Sequence, residues 1–387
     1  MEIAIRLNDI KEYYFSAKLR EIDAMKKAGK KVINLGIGSP DQAPHSSVIA
    51  TLNNSSHVPG NHGYQSYKGI PALRQAVASW YREQYQTAIN PETEILPMMG
   101  SKEAITHICM TYLNPGDKVL IPNPGYPTYR SAVSLAGGIG QDYDLSEANN
   151  FEPDFEQLNR IGKNEYKIMF VNFPHMPTGK QLNRAGFEQL VRFARAKNIL
   201  LVHDNPYSFI LNEQPFSILS IEGAKDCAIE LNSLSKSHNM AGWRIGFMIA
   251  SEQKISEVLR FKSNMDSGMF LPLQLAAVKA LSLDQEWYTT LNNEYMKRKE
   301  QAKIIFDQLK CTYTDNQAGM FLWGRVPEHY ADGFRLSDEI LQRHQVFITP
   351  GGIFGSNGTK YIRISLCSPV DLLEEALERI SLHETVT

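Results

Sequence analysis

The feature that most constrains the fold is an alternation, between residues 95 and 250, of short apolar runs with amphipathic stretches. The runs have the length of β-strands and are apolar on both faces, which is typical of strands in a sheet that is covered on both sides. In the stretches between them, as in 105–112 and 187–194, apolar residues recur with helical spacing. We therefore predict an α/β fold with a mostly parallel central sheet. The four clearest runs are 118–121, 168–171, 199–202 and 245–249.

The two ends of the chain differ from this middle part. Residues 1–45 hold an amphipathic segment followed by a glycine-rich run, and residues 284–315 have the pattern of a long charged helix. Residues 319–366 then mix strand-like runs with glycine-rich turns, and 372–380 are helical again. We predict that both ends join in one smaller α+β domain beside a large α/β domain. The predicted bounds are 46–283 for the large domain, and 1–45 with 284–387 for the small one.

Charge and composition exclude several classes of partner. Lys plus Arg number 40 and Asp plus Glu number 42, so the formal net charge is −2 and no overall attraction to nucleic acid or an anionic membrane is expected. No uninterrupted apolar stretch is long enough for a membrane span. The four cysteines and ten histidines lack the spacing of a disulfide scaffold or a metal site. We therefore predict that the protein binds no metal. We also predict a cytoplasmic location, because the polar N-terminus lacks a signal-peptide pattern.

Polar residues at strand ends are the candidates for chemistry, because parallel α/β sheets bind ligands there. Gly100-Ser101-Lys102 precedes a helical pattern and offers an anion site at a helix start, although Ser101 alone also fits an ordinary N-cap. Asp204 ends an apolar run, where a carboxylate either caps a turn or holds a cationic ring nitrogen. Tyr207 either shares that pocket or packs in the core.

The most informative stretch is 233–246, which reads Ser-Leu-Ser-Lys-Ser-His-Asn-Met-Ala-Gly-Trp-Arg-Ile-Gly. Its Lys236 follows an apolar run, lies among small hydroxyl residues, and precedes Arg244 by eight residues. A lysine that is partly desolvated near a second cation loses proton affinity, as a Schiff-base lysine requires. Arg244 is suited to bind a phosphate with two parallel hydrogen bonds.

This stretch resembles the lysine signature of the class I/II aminotransferases, which are pyridoxal-phosphate enzymes of fold type I. The resemblance extends from about Tyr13 to Arg363, and it is nearest in pattern to the aspartate and LL-diaminopimelate aminotransferase branches. The other landmarks of the family occur in the family's order. They are 36–41, Tyr64 with 69–74, 100–102, 124–127, 177–179, Asp204 with Tyr207, and 361–365.

The resemblance implies a role for each of these residues. Lys236 would form the Schiff base with pyridoxal phosphate and then move the proton at the substrate α-carbon. Asp204 would keep the ring nitrogen protonated, Tyr207 would donate to the ring oxygen O3′, and Tyr126 would stack on the ring. Arg363 would bind the substrate α-carboxylate. The residues implied at the phosphate are Ser101, Lys102, Ser233 and Arg244, with Ser235 also at the cofactor.

The resemblance also implies a homodimer with shared active sites. Tyr64 would reach the phosphate of the second subunit, and Tyr13 would reach its substrate, as the opening Tyr13-Tyr14-Phe15 suggests by its likeness to the LL-diaminopimelate branch. The backbone of Gly38 would lie beside the substrate carboxylate.

One position departs from the family pattern. The family has Asn-Pro-Thr-Gly where this chain has Met176-Pro177-Thr178-Gly179, and that Asn normally donates a hydrogen bond to O3′. A thioether donates none, so we expect the nitrogen that joins Lys236 to the cofactor to have a higher pKa than in relatives that keep Asn.

The resemblance implies transamination between an L-amino acid and a 2-oxo acid, and several alternative functions are open. A pyridoxal-phosphate C–S β-lyase on the same fold is the main one. We do not expect a DNA-binding regulator, because only about 12 residues precede Tyr13, too few for a helix-turn-helix, and the charge balance is near neutral. A nicotinamide dehydrogenase is disfavoured because Gly36-Ile37-Gly38 lacks the third glycine and the following helix of the dinucleotide fingerprint. The sequence leaves the donor open among aspartate, alanine, an aromatic amino acid and diaminopimelate.

Overall fold

The computed structural model describes residues 2–8, 10 and 14–382. Within these residues the α-helices are α1 (Tyr14–Lys27), α2 (Ser46–Ser56), α3 (Pro71–Tyr85), α4 (Ser101–Tyr112), α5 (Pro127–Leu135), α6 (Phe155–Asn159), α7 (Arg184–Lys197), α8 (Ala224–Cys227), α9 (Leu234–Ser237), α10 (Glu252–Lys262), α11 (Leu271–Leu281), α12 (Gln285–Gln308), α13 (Gly333–His344) and α14 (Val370–Ser381). The strands are β1 (Ile33–Asn34), β2 (Ile95–Met98), β3 (Lys118–Asn123), β4 (Ile139–Asp144), β5 (Ile168–Val171), β6 (Leu200–Asp204), β7 (Ala228–Ser233), β8 (Gly246–Ala250), β9 (Phe321–Arg325), β10 (Val346–Phe347), β11 (Thr349–Pro350) and β12 (Tyr361–Ser365).

The central sheet has seven strands in the order β2-β8-β7-β6-β5-β3-β4. Strand β8 pairs antiparallel with β2 and with β7, and the other pairs are parallel. The prediction of a mostly parallel sheet is therefore confirmed. The run at 245–249, which forms β8, is antiparallel to both of its neighbours. The reason is its connection: residues 234–245 turn back at one end of the sheet instead of crossing it with a long helix.

In the interior of this sheet both faces are buried, as the continuous apolar runs predict, whereas the edge strand β4 is mostly exposed. Along β5, Ile168 and Phe170 pack into one apolar cluster, whereas Met169 and Val171 pack into another. Adjacent residues of a strand point to opposite faces, so the two clusters lie on the two sides of the sheet. Within the described residues, no helix is long and apolar enough to cross a membrane.

The remaining strands form two small sheets near the chain ends. Strands β11, β12 and β9 are antiparallel, and β1 pairs parallel with β10. A third apolar cluster joins Leu35 to Phe306, Leu322 and Ile364, so the start of the chain packs against its C-terminal part. The long helix predicted in 284–315 is present as α12, but α13 lies in a segment for which only strands and turns were predicted. The division into two domains at 46 and 283 stays a prediction.

Candidate active site

A cavity of about 480 Å³ lies at the carboxyl ends of β5, β6 and β7. Its wall comes from distant parts of the chain, because helix α1, the loop after β1, and strands β9 and β12 also reach it. The sequence-predicted residues that line it are Gly38, Ser101, Lys102, Tyr126, Asp204, Tyr207, Ser233, Ser235, Lys236, Arg244 and Arg363.

Lys236 lies on the short helix α9, directly after β7. Its Nζ donates a hydrogen bond of 2.5 Å to the carbonyl oxygen of Gly38. Burial lowers the pKa of the Lys236 ammonium from its ordinary value, and the charges of Arg363 and Arg244 lower it further. The arrangement therefore favours a neutral, nucleophilic amine at the centre of the cavity.

Asp204 ends β6, the strand next to β7, and is buried, with 4% of its surface exposed. The Tyr129 hydroxyl donates to Asp204 Oδ2 over 2.8 Å, whereas Oδ1 has no hydrogen-bond partner among the described residues. Burial raises the pKa of Asp204 to about 6. The carboxylate does not cap a turn, so it retains an acceptor atom for a ligand that brings an N–H group.

An anion cradle is formed where α4 begins. Gly100 is the N-cap of this helix with φ +86, and Ser101 is its first residue, so Ser101 is not the N-cap. A Cβ atom at Gly100 would lie 2.1 Å from a terminal nitrogen of Arg244, which shows how closely the guanidinium packs on the helix start. Across the cradle, Ser233 Oγ donates to Ser235 Oγ over 2.8 Å. Guanidinium, hydroxyls and free helix N–H groups together suit a phosphate.

Arg363 projects from β12 and is buried, with 3% exposed. Its guanidinium donates to the Gly36 carbonyl oxygen over 2.8 Å and lies 3.3 Å from the Met176 sulfur. The ring of Phe321 stacks against it at 3.8 Å, and Phe354 lies at 4.7 Å. These contacts fix the plane of the guanidinium, which would present it in one orientation to a carboxylate.

One predicted residue, Tyr64, does not line this cavity within the described structure. Tyr64 is 94% exposed and lies beside residues 267–270 on the surface. Tyr13 lies outside the described residues. Tyr126 precedes α5 with its ring edge-on to Tyr129 at 5.6 Å, and the Tyr207 ring meets Phe321 at 5.8 Å.

Sequence reasoning missed three kinds of residue at the site. Tyr129 holds Asp204, but its position on α5 marks it as an ordinary core residue. Asn172 joins two walls, because its side chain donates to the Asp204 carbonyl oxygen and accepts from the Met176 N–H. The aromatic rings around Arg363 belong to no sequence motif, and the close approach of the Phe321 ring to Gly38 is apparent only in the tertiary structure.

A group of possible metal ligands occurs elsewhere in the described residues. Side-chain atoms of Glu103, His107 and Asp266 lie within 4.8 Å of one another. The ammonium of Lys262 is 2.5 Å from Asp266 and already neutralises this carboxylate, so the group carries no assignment.

The chain is similar to known proteins in both sequence and structure. The family description "Aminotransferase class I and II" matches residues 30–380. The chain is 38% identical over 383 residues to the LL-diaminopimelate aminotransferase of Oleidesulfovibrio alaskensis, covering 98% of each. It is 36% identical over 382 residues to the enzyme of the same name from Natranaerobius thermophilus, covering 98% of this chain and 99% of that one. The substrate-bound structure of BacF from Bacillus subtilis superposes with a TM-score of 0.92 at 35% identity, covering 98% of this chain and 97% of that one.

Proposed function

Because the chain belongs to the class I and II aminotransferases, and is thus a pyridoxal-phosphate enzyme that transfers amino groups between amino acids and 2-oxo acids, we propose that Lys236 carries the reaction in the cavity at the sheet edge. The relatives from Oleidesulfovibrio alaskensis and Natranaerobius thermophilus are named aminotransferases, and they give no support to a C–S β-lyase. The observation that carries the proposal is a desolvated lysine facing a buried carboxylate and an anion cradle in one cavity.

The side chains present fit the cofactor. Pyridoxal phosphate, when bound, supplies an aldehyde that takes up the amino group and a ring that withdraws electrons from the reacting carbon. Asp204 Oδ1, a buried acceptor without a partner in the described residues, would hold the ring nitrogen and its proton. Tyr207 would donate to the ring oxygen, and Tyr126 would cover a ring face. The residues that would hold the phosphate are Ser101, Lys102, Ser233, Ser235 and Arg244.

Lys236 would serve first as the covalent anchor and then as the base. A proton acceptor must be neutral near the working pH, and burial with two neighbouring arginines lowers the pKa of this ammonium. The 2.5 Å hydrogen bond to Gly38 holds Nζ beside the segment that also contacts Arg363. Nζ would therefore take the proton from the α-carbon of a substrate whose carboxylate is bound by Arg363.

Arg363 would orient the substrate. A guanidinium pairs with a carboxylate through two parallel hydrogen bonds, which fixes direction as well as position. The Gly36 carbonyl and the stacked Phe321 ring hold the guanidinium in place before substrate enters, so less conformational freedom is lost on binding.

We further propose a cytoplasmic homodimer that shares its active sites. Exposed Tyr64 and Phe270 line one surface depression, and Met265 nearby in sequence is 59% exposed. Apolar residues grouped on a surface favour an interface, and Tyr64 and Tyr13 would then reach the partner's cavity. The four cysteines are free thiols, which favours a reducing compartment.

Borohydride reduction of the holoenzyme followed by peptide mapping tests the anchor. We expect the label on the peptide that contains Lys236. Lys299 is the internal control, because burial also lowers its pKa but its Nζ donates to the carbonyls of Asp315 and Gln317 away from the cavity. A label on Lys299, or none on Lys236 in cofactor-saturated protein, would refute the proposal.

A further inference from the structure

The segment Gly36-Ile37-Gly38 places the side chain of Ile37 near the two groups that would bind and deprotonate a substrate. The Gly36 carbonyl contacts Arg363 over 2.8 Å, and the Gly38 carbonyl contacts Lys236 Nζ over 2.5 Å. A substrate whose carboxylate binds Arg363 and whose α-carbon faces Lys236 would lie beside Ile37. This residue is 38% exposed and lines the cavity. The first neighbour of the substrate side chain is therefore an aliphatic group.

The wall beyond Ile37 is also apolar. Phe15 and Leu19, one turn apart on α1, line the cavity, and the Phe15 ring lies 5.8 Å from the Arg363 guanidinium. Phe354 lines it from the other side, 4.7 Å from the same guanidinium. Aliphatic and aromatic groups thus surround the space that remains next to the carboxylate site.

The charged side chains that line the cavity in the described part of the chain all have a place in the proposed reaction. They are Lys102, Asp204, Lys236, Arg244 and Arg363. A donor with a second carboxylate or a distal ammonium would have to bury that charge among apolar groups of this chain, and the residues proposed to enter from the partner subunit, Tyr13 and Tyr64, carry neither a carboxylate nor a basic group. Burying a charge without a partner is strongly unfavourable, whereas an apolar side chain gains by leaving water.

We propose that the amino donor of this enzyme carries an aromatic or large aliphatic side chain, which binds among Phe15, Leu19 and Ile37. The proposal rests on the proposed function, since it takes the positions of Lys236 and Arg363 from it. The proposed donor differs from diaminopimelate, the substrate in the names of the relatives, because diaminopimelate carries a charged group at its far end.

Single-turnover absorbance of the holoenzyme tests the donor class. The holoenzyme is mixed with L-phenylalanine, L-leucine, L-aspartate or LL-diaminopimelate, and the absorbance reports conversion of the bound cofactor. We expect kcat/KM of the half-reaction for phenylalanine or leucine to exceed that for either charged donor by about 100-fold, within the range that pocket chemistry achieves. An equal or larger value for aspartate or diaminopimelate overturns the proposal. If no donor converts the cofactor, the proposed function fails, and the binding measurement below still decides the chemistry of the pocket.

Calorimetric binding of unreactive analogues gives a readout independent of turnover. We expect 3-phenylpropanoate to bind the holoenzyme at least about 30-fold more tightly than pimelate or succinate, which carry a second carboxylate. Equal or tighter binding of either dicarboxylate overturns the proposal.

A charge inserted in the wall should reverse the preference. In Leu19→Arg, we expect the phenylalanine value of kcat/KM to fall at least tenfold and the affinity for succinate to rise. Ala24→Arg, at an exposed position of the same helix, is the matched control and should leave both unchanged. A Leu19→Arg protein that folds, loads cofactor and keeps the original ratio overturns the assignment of this wall.

Discussion

Asp204→Asn should make the cofactor-free protein more stable at neutral pH. The buried carboxyl has a pKa of about 6 against an ordinary value of 3.8, with burial as the main cause. A carboxyl whose pKa is raised by folding stabilises the folded state fully below pH 3.8, and this contribution is lost as the pH rises through 6. At about 1.4 kcal/mol per pH unit, the loss reaches about 3 kcal/mol at pH 8 and is about 1 kcal/mol at pH 4.5. An amide cannot ionise, so the variant avoids this loss.

Bound cofactor should reverse the order of stability of the wild type and Asp204→Asn. A protonated ring nitrogen would pair with the Asp204 carboxylate, and a charge-assisted hydrogen bond of this kind is stronger than one to a neutral amide. Saturating pyridoxal phosphate should therefore raise the free energy of unfolding of the wild type by more than that of Asp204→Asn. The substitution is therefore expected to stabilise the cofactor-free protein and to destabilise the cofactor-bound protein.

Urea unfolding of both proteins between pH 4.5 and 8, at one protein concentration, with and without cofactor, measures these differences. Asp226→Asn is the control, because the Asp226 side chain is 71% exposed and should show no pH-dependent gain. The reasoning is refuted if the cofactor-free difference does not grow with pH, or if cofactor stabilises both proteins equally.

Three further predictions concern residues around the cofactor. Met176→Asn adds a donor for the ring oxygen and should lower the pKa of the lysine–cofactor nitrogen by about one to two pH units in an absorbance titration; an unchanged midpoint contradicts this. Gly100→Ala places a Cβ 2.1 Å from the neighbouring guanidinium at φ +86 and should raise the Kd for pyridoxal phosphate at least tenfold, whereas Gly116→Ala, at φ +88 with open space, should not; equal Kd values would count against the cradle. Tyr129→Phe removes the donor that lowers the pKa of Asp204 and should weaken cofactor binding about tenfold in a fluorescence titration; wild-type affinity would show that this hydroxyl does not act.

Much of the fold was accessible from the sequence because burial leaves a periodic trace. The runs that became β3 and β5 are apolar on both faces, and the structure shows both faces packed. Strand direction leaves no such trace: β8 is as apolar and buried as the parallel strand β5, and only its short return connection makes it antiparallel to its neighbours. Helix α13 was missed because the glycine-rich turns around it dominate the local pattern.

The site was accessible to the extent that its residues are polar and follow strands. Asp204 and Lys236 stand out because a charged residue at the end of an apolar run, or a few residues beyond it, is unusual in a core. Tyr129, Phe321 and Phe354 could not be distinguished in this way, since their ring packing follows the same pattern as any core aromatic. Their function depends on which distant elements meet, and that is fixed by the tertiary structure.

Burial in one cavity has opposite effects on its two central groups. It raises the pKa of Asp204 and lowers that of Lys236, so each is shifted toward its neutral form. A neutral lysine is the form that can form a bond with an aldehyde and accept a proton, whereas a neutral carboxyl is the wrong form for holding a protonated ring nitrogen. A pKa of about 6 leaves Asp204 mostly ionised at neutral pH, where it would pair with a protonated ring nitrogen, and this pairing is lost as the pH falls through 6. It follows that cofactor affinity should depend on pH mainly through Asp204, and that substitutions at Asp204 and Tyr129 should not be additive, because both act on one carboxylate.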